Sequence, residues 1–220
     1  MWQKRIPEDA QGCYGWHTAG SVPAHDYVVP EVLRLVGTQT KTACRVIDLG
    51  CGNGFVAGVL SRAGHQVVGI DVSEDGLNLA REAHPGVTFL RASVYEDGLA
   101  RSIGHADVVL ALEVVEHLYF PTRLFNLAFQ ILEPDGLLIA STPYHGYLKN
   151  LAIALMGRWD RHWEPRWEGG HIKFFSRATL SSMLHDSGFA VEKIVGVGRV
   201  PGLWKSMIVM ARPSNRGSDR

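Results

Sequence analysis

Short apolar runs alternate with helical patterns through the middle of the chain. Each run holds four to six residues, is rich in β-branched side chains and is bounded by turn residues, which is typical of buried strands. The predicted strands are residues 44–49, 66–71, 87–90, 107–112 and 137–141. Because helical segments separate these strands, the pattern predicts an α/β fold with a parallel sheet and helices on both faces.

Capping and breaking residues mark the predicted helices. Gly64 is placed to end the helix that follows the first strand, and Ser73 to cap the next one, which runs to about residue 83. Pro121 suits the first position of a helix through residue 132, before a turn at residues 134–136. These signals give three of the four crossovers between the predicted strands a helical segment; none is predicted between residues 90 and 107.

The pattern changes after the fifth predicted strand. Residues 143–175 are rich in Trp, Tyr, His and Arg, include a short apolar helix at 148–156, and are expected to form a lid-like insertion. Ser176 then caps a helix to residue 187. Two β-like runs, 190–197 and 204–211, are expected to pair antiparallel at the edge of the sheet.

Length and hydrophobic content predict one domain over residues 1–212. A chain of 220 residues with 46% hydrophobic residues is long enough for one well-buried core. Residues 1–43 are expected to form an N-terminal cap that includes a short amphipathic helix at 30–36. The polar tail, residues 213–220, is expected to be disordered.

Charge and targeting signals restrict the class of partner. Lys plus Arg and Asp plus Glu both number 22, so no global field favours nucleic acid, and a nucleic-acid partner is not expected. The first nine residues lack a signal-peptide core, and no apolar run approaches the roughly 20 residues of a transmembrane segment. A soluble, cytoplasmic protein is expected, with Cys13, Cys44 and Cys51 as reduced thiols.

The segment Asp48-Leu49-Gly50-Cys51-Gly52-Asn53-Gly54 lies where the first strand meets a helix. Its three glycines allow a tight turn and a close approach of the backbone to a ligand. A dinucleotide-binding loop carries its third glycine at the sixth place, which is Phe55 here. The carboxylate of Asp48 would also repel a phosphate, so a cationic amino-acid ligand is favoured over NAD. The alternative is a tight turn without a ligand.

A second carboxylate, Asp71, ends the next strand about 20 residues later, where it would accept hydrogen bonds from ribose hydroxyls. The segment from Asp48 to Gly54 resembles motif I of class I S-adenosylmethionine-dependent methyltransferases. The segment Gly69-Ile70-Asp71-Val72-Ser73 resembles the acidic second-strand motif of the same family. The resemblance implies S-adenosylmethionine as cofactor, S-adenosylhomocysteine as product, and a Rossmann-like, mostly parallel seven-stranded sheet. The cofactor-binding residues that it implies are Asp48, Gly50, Cys51, Gly52, Asn53, Gly54, Phe55, Asp71, Val72, Ser93, Val94 and Leu112.

The fourth predicted strand ends in a cluster of ionisable residues. Methyl transfer requires alignment of donor and acceptor and, for a hydroxyl acceptor, removal of a proton. Glu113 and His117 lie at the edge of the sheet where the acceptor is expected, and they are the predicted catalytic residues, with His117 as general base. The alternative for His117 is a local hydrogen bond. The Asn/Asp-Pro-Pro-aromatic string typical of nucleic-acid amino-methyltransferases is missing here, which disfavours base methylation.

Glu113-x-x-Glu116-His117 resembles a segment of the ubiquinone-biosynthesis O-methyltransferases, and the strings at 141–143 and 171–175 extend the similarity. The resemblance implies O-methylation of a small quinone-, phenol- or lipid-like molecule. A divalent cation is associated with this segment in that family, and Glu113, Glu116 and His117 are suitable ligand types. The same pattern is common in class I enzymes that need no ion, so it is compatible with both a metal-dependent and a metal-independent enzyme.

Further candidates lie in the insertion and near the N-terminus. His145 and His171 are predicted to bind the acceptor, and Gly169-Gly170 could act as a hinge for closure. Trp159, Trp163 and Trp167 recur every four residues and would form one stripe on a helix. This stripe is interpreted either as a lid packed on the core or as a face for peripheral membrane contact.

Trp16 and His17 precede the first helix and are expected to fold over the cofactor. Two rival functions remain at this point: a non-catalytic protein that binds S-adenosylmethionine or S-adenosylhomocysteine, and an NAD-dependent dehydrogenase.

Overall fold

Seven strands form one sheet in the computed structural model, which describes residues 15–39, 41–163, 165–167 and 169–214. The strands are β1 (Arg45–Leu49), β2 (Gln66–Asp71), β3 (Thr88–Arg91), β4 (Ala106–Leu112), β5 (Leu132–Pro143), β6 (Phe189–Val197) and β7 (Ser206–Pro213). Their order is β3-β2-β1-β4-β5-β7-β6, and β7 runs antiparallel to both of its neighbours while the remaining pairs are parallel. The predicted fold class is confirmed.

Helices connect the strands and cover both faces of the sheet. They are α1 (His25–Val36), α2 (Phe55–Arg62), α3 (Glu74–Ala83), α4 (Leu99–Ile103), α5 (Pro121–Ile131), α6 (Tyr147–Leu155), α7 (Trp159–Trp163) and α8 (Arg177–Asp186), with a 3₁₀ turn at Val115–His117. Successive residues of β1 enter opposite cores, since Val46 packs in the cluster under α1 and α2 and Ile47 packs in the cluster under α5 and α8. The sheet is therefore buried on both sides, as expected for a parallel α/β sheet.

Two boundaries differ from the prediction by five residues, and several others differ by one or two. The first helix begins at His25, five residues before the predicted start, and it contains Pro30 on its exposed side. Burial of Val28, Val29 and Val32 on the opposite side stabilises this helix despite the backbone hydrogen bond that the proline removes.

The predicted turn at residues 134–136 lies inside β5. Leu132 pairs with Ala106 of β4, the register then shifts, and Leu137 pairs with Val108. The turn residues are thus accommodated as an irregularity of the strand, because the sheet resumes its pairing on both sides of them.

The tail predicted to be disordered, residues 213–220, is ordered at its first two residues. Pro213 belongs to β7, and the backbone N–H and hydroxyl of Ser214 donate to the carbonyl oxygen of Gly188 at 2.8 and 2.6 Å. The rest of the predicted tail, residues 215–220, lies outside the described residues, as does Cys13. Cys44 and Cys51 are free and buried.

Within the described ranges, no helix has both the length and the apolar character required to cross a bilayer.

Candidate active site

A cavity of about 470 Å³ opens at the C-terminal ends of the central strands. Most of the predicted cofactor residues line it, together with the two predicted catalytic residues. The predicted residues in its wall are Asp48, Gly50, Cys51, Gly52, Asn53, Asp71, Val72, Ser93, Val94, Leu112, Glu113 and His117. Parallel strands end at one edge of a sheet, and residues that are far apart in sequence therefore meet here.

Two predicted cofactor residues lie behind this wall. Gly54 has a φ of 74° and begins α2, where an added Cβ would lie 2.6 Å from the Cβ of Ala80. Phe55 stacks on the ring of His25, with 4.7 Å between ring centroids. Both residues pack the start of α2 against neighbouring side chains. They support the glycine loop from the side away from the cavity.

Gly52 permits the closest approach in the loop. It has a φ of 53°, and a Cβ at this position would lie 2.4 Å from the indole of Trp16. A side chain here would be strained by the backbone conformation and would also displace the tryptophan. The loop and the N-terminal segment are thus fitted to each other at Gly52.

Asp48 places a buried carboxylate in the cavity wall. The residue is 2% exposed, and its Oδ2 atom has no hydrogen-bond partner among the described residues. Burial, and next the nearby charge of Asp71, raise the pKa of Asp48 to about 7. A carboxylate in this position is stabilised by a cation, and the ammonium group of an amino-acid ligand has the required charge.

Asp71 holds the loop and faces the same cavity. Its carboxylate oxygens accept hydrogen bonds from the backbone N–H groups of Gly52 at 2.7 Å and Ser73 at 2.8 Å. Burial raises the pKa of Asp71, and these hydrogen bonds oppose that rise. Each oxygen retains a further lone pair, which is the arrangement that two ribose hydroxyls require.

The N-terminal segment lies over the glycine loop. Trp16 lines the cavity, whereas His17 is exposed and lies outside its wall. The side-chain amide of buried Asn53 donates to the carbonyl oxygens of Thr18 and Gly20 at 2.8 and 2.9 Å. Asn53 thereby ties the segment to the loop, a role that sequence reasoning missed because these partners lie more than 30 residues away.

Glu113 lines the cavity directly after the end of β4. Its φ is 55°, a left-handed conformation that non-glycine residues rarely adopt. Its carboxylate accepts hydrogen bonds from the hydroxyls of Ser141 at 2.7 Å and Ser206 at 3.2 Å. Burial raises the pKa of Glu113 to about 7, an effect that the two serine hydrogen bonds oppose. Both oxygens are engaged by the sheet, which suits a positioning role better than proton transfer.

His117 lies in the 3₁₀ turn after β4 and lines the cavity. Its Nδ1 atom lies 3.3 Å from the carbonyl oxygen of Gly170, which can only accept a hydrogen bond. In the neutral tautomer with its hydrogen on Nδ1, this contact is a hydrogen bond and Nε2 is an acceptor atom. Burial lowers the pKa of His117, so the neutral form dominates at pH 7.

Of the three metal-ligand candidates that the resemblance implies, the structure groups only Glu116 and His117. Potential ligand atoms of Glu116, His117 and His171 lie within 4.8 Å of one another. Glu116 is fully buried, and both of its carboxylate oxygens lack a hydrogen-bond partner among the described residues. Glu113 is instead held by Ser141 and Ser206. Glu116 and the two histidines therefore have the donor types for a divalent cation, with His171 in place of Glu113.

The two predicted acceptor-binding histidines lie outside the cavity wall. The ring of His171 contacts that of His117, with 4.9 Å between centroids. His145 is buried beside Trp163 and Phe174. Desolvation by burial, and then the charge of Lys149, lower the pKa of His145 to about 4. Direct acceptor contact by either histidine stays a prediction.

The three tryptophans of the predicted stripe do not lie on one helix. Trp159 and Trp163 belong to α7 and contact each other, but Trp167 lies beyond the helix and lines the cavity next to His117. Tyr95 and Tyr119 also line the cavity and were missed. Their positions in the loop after β3 and just after the 3₁₀ turn were the available signal.

Comparisons with known proteins agree with this geometry. A family profile described as a methyltransferase domain matches residues 24–194. A ubiquinone biosynthesis O-methyltransferase from Azorhizobium caulinodans is 30% identical, over 90% of this chain and 85% of the relative. A protein of the same name from Thiobacillus denitrificans is 31% identical, over 80% of this chain and 77% of the relative.

Two solved structures have a similar fold. The magnesium protoporphyrin IX methyltransferase of Synechocystis, solved with bound S-adenosylhomocysteine, has a TM-score of 0.65 at 22% identity and covers 84% of this chain and 82% of its own. A protein from Pyrococcus horikoshii has a TM-score of 0.68 at 19% identity, with coverage of 89% and 93%. At these identities the likeness concerns the fold alone.

Proposed function

Since the chain belongs to the methyltransferase-domain family and is an S-adenosylmethionine-dependent methyltransferase, we propose that it methylates a hydroxyl oxygen of a small phenol- or quinone-like acceptor. The observation that carries this proposal is a single cavity with buried carboxylates at one end and a neutral histidine at the other. The names of the relatives from Azorhizobium caulinodans and Thiobacillus denitrificans support oxygen as the accepting atom.

The glycine-loop end of the cavity is proposed to hold the cofactor. S-adenosylmethionine, when bound, supplies a methyl group on a positively charged sulfur. Asp48 would balance the charge of its amino group, and Asp71 would accept hydrogen bonds from its ribose hydroxyls. The positive φ of Gly52 brings the backbone N–H groups of the loop close to the ligand, and Trp16 excludes water from above.

The other end is proposed to hold the acceptor. His117 would accept the proton of the acceptor hydroxyl at Nε2, while the Gly170 carbonyl keeps the hydrogen of Nδ1 in place. Glu113 would act as a positioning residue, because it fixes the turn that leads to His117. Tyr95, Tyr119 and Trp167 give this end an aromatic lining that suits a planar ring.

The direct test measures transfer of a labelled methyl group from S-adenosylmethionine to catechol-type acceptors with and without a polyprenyl chain. Labelled product with its new methyl group on oxygen supports the proposal. Binding of S-adenosylhomocysteine without turnover on any hydroxylated acceptor would instead favour a non-catalytic binding protein.

His117→Gln separates base catalysis from binding. The variant keeps a polar side chain but removes the base, so turnover should fall by about 10²- to 10⁴-fold with little change in affinity for S-adenosylhomocysteine. His185→Gln is the matched control, because His185 is exposed on α8 and lies outside the cavity wall. Turnover of His117→Gln equal to that of the control would remove His117 as the base.

A further inference from the structure

The amino-acid part of the cofactor carries two opposite charges, and Asp48 accounts for only one of them. Its ammonium group is proposed to pair with Asp48, so its carboxylate needs hydrogen-bond donors elsewhere in the cavity. Among the described residues that line the cavity, the formal charges belong to Asp48, Asp71 and Glu113, and none is Lys or Arg. Within this wall, the carboxylate therefore has only neutral donors available.

The backbone of the glycine loop has few donors to offer this carboxylate. The N–H groups of Gly50 and Cys51 both donate to the carbonyl oxygen of Ile70, at 2.7 and 3.0 Å. The N–H group of Gly52 donates to the carboxylate of Asp71 at 2.7 Å. Three N–H groups of the loop are thus engaged within the protein, and side-chain donors are needed.

Two aromatic side chains before and at the start of α1, Trp16 and His25, line the cavity and can donate. Trp16 lies against Gly52 and Gly76, where an added Cβ would lie 2.4 and 2.9 Å from its indole. Because Gly52 is bound by Asp71, this places Trp16 on the ribose side of the cavity. His25 is the first residue of α1, which contacts α2, β5 and β7, whereas Asp71 ends β2 on the other side of β1. His25 therefore lies on the side away from the ribose.

The ring of His25 is held in one orientation. The backbone N–H of Val22 donates to its Nδ1 atom at 3.1 Å, and its face stacks on Phe55 with the two planes 8° apart. A backbone N–H can only donate, so Nδ1 carries no hydrogen and the neutral ring carries its hydrogen on Nε2. Burial lowers the pKa of His25, and the charge of Asp26 opposes this effect, so the neutral form is favoured at pH 7. Within the described ranges, Nε2 has no hydrogen-bond partner.

We propose that the Nε2–H group of His25 donates a hydrogen bond to the carboxylate of the cofactor's amino-acid part. Asp48 and His25 would then bind the two groups of opposite charge separately and orient the amino-acid part relative to the ribose. Because Val22 and Phe55 already hold the ring, little side-chain freedom is lost when the ligand binds. The proposal rests on the proposed placement of the cofactor and does not depend on the acceptor.

The test is calorimetric titration of the full chain at pH 8 with S-adenosylhomocysteine and with its decarboxylated analogue, which keeps the ammonium group. His25→Phe keeps a ring that can stack on Phe55 and removes the donor. This variant should bind S-adenosylhomocysteine about 10- to 100-fold more weakly than the wild type, the usual range for a hydrogen bond to a charged group. Its affinity for the analogue should stay within about twofold of wild type. His25→Gln, whose amide can donate, should recover most of the lost affinity.

Two further variants show which assignment fails. His17→Phe changes an exposed histidine outside the cavity wall and should bind both ligands like the wild type. Asp48→Asn should weaken both ligands, because both carry the ammonium group, and unchanged binding would overturn the cofactor placement on which the proposal rests. When Asp48→Asn behaves as expected, two results with His25→Phe would overturn the assignment of His25 alone. These are unchanged affinity for S-adenosylhomocysteine, and an equal loss of affinity for both ligands, which would reduce the ring to a packing role.

Discussion

The buried carboxylate of Asp48 destabilises the fold when ionised, and Asp48 is proposed to bind the cofactor. Its pKa is raised from 3.8 to about 7, so between these values the folded chain holds a proton that the unfolded chain has released. The stability of the ligand-free protein should therefore fall as the pH rises through this window, and the full cost is present above it. No stability is lost at acid pH, because Asp48 is then protonated in both the folded and the unfolded chain.

Asp48→Asn should remove this cost. We expect the ligand-free variant to be more stable than the wild type at pH 8 by roughly 1–4 kcal/mol, and by much less at pH 4. Urea unfolding at the two pH values measures the difference, with Asp75→Asn on the exposed side of α3 as control. A variant that is equally destabilised at both pH values would contradict the assignment of a raised pKa.

The same carboxylate should make ligand binding pH-dependent. An ammonium group is attracted only to the ionised form, so affinity for S-adenosylhomocysteine should rise as the pH rises from 6 to 8, through about 7. Calorimetric titration of wild type and Asp48→Asn across this range measures it. The rise should be missing from the variant, and its persistence there would assign the dependence to another group.

Asp71 holds the glycine loop and is proposed to bind the ligand. Asp71→Ala should weaken binding of S-adenosylhomocysteine by about 1–3 kcal/mol, the usual cost of losing a charged acceptor. Asp75→Ala is the control, four residues away and exposed. Methylthioadenosine, which retains the ribose but lacks the amino acid, should lose affinity with Asp71→Ala and not with Asp48→Asn. The reverse pattern would exchange the two assignments.

At the scale of elements, the N-terminal segment and the glycine loop form one unit. Asn53 holds Thr18 and Gly20, and Trp16 rests on Gly52. Asn53→Ala removes two hydrogen bonds from a buried position, each worth about 0.5–1.5 kcal/mol. The segment should then leave the loop more often.

We expect Asn53→Ala to weaken S-adenosylhomocysteine binding by roughly tenfold and to speed hydrogen exchange in residues 15–24. Hydrogen exchange with mass detection measures the second effect. Asn78→Ala on α3, an exposed position, should leave both unchanged. Faster exchange with unaltered affinity would show that the segment does not cover the ligand.

Elements with strong local signals were predicted well, and those that depend on distant partners were not. Ser73 and Ser176 cap their helices as expected, since capping is decided within four residues. The start of α1 was wrong because burial against α2 and the sheet outweighs the local effect of Pro30. The turn at 134–136 was absorbed into β5 because strand pairing with β4 is decided by a partner about 25 residues away.

At the scale of the whole molecule, ligand binding should stabilise the fold. S-adenosylhomocysteine at 100 times its dissociation constant should add about 2.7 kcal/mol, which corresponds to roughly 5–10 °C in melting temperature for a chain of this size. Differential scanning calorimetry measures the shift. NADH at the same concentration should produce none, and a shift with NADH alone would contradict the cofactor assignment.

The sequence by itself determined the sheet class, the glycine loop and the two carboxylates near the ends of β1 and β2 beside that loop. These features depend on short-range pattern, because a tight turn and a strand end are fixed by a few consecutive residues. Only the tertiary structure decided which of the remaining ionisable residues meet. Glu113 is engaged by serines of β5 and β7, and His171 reaches His117 from a segment more than 50 residues away. Such contacts arise from packing of distant segments, which local preference does not encode.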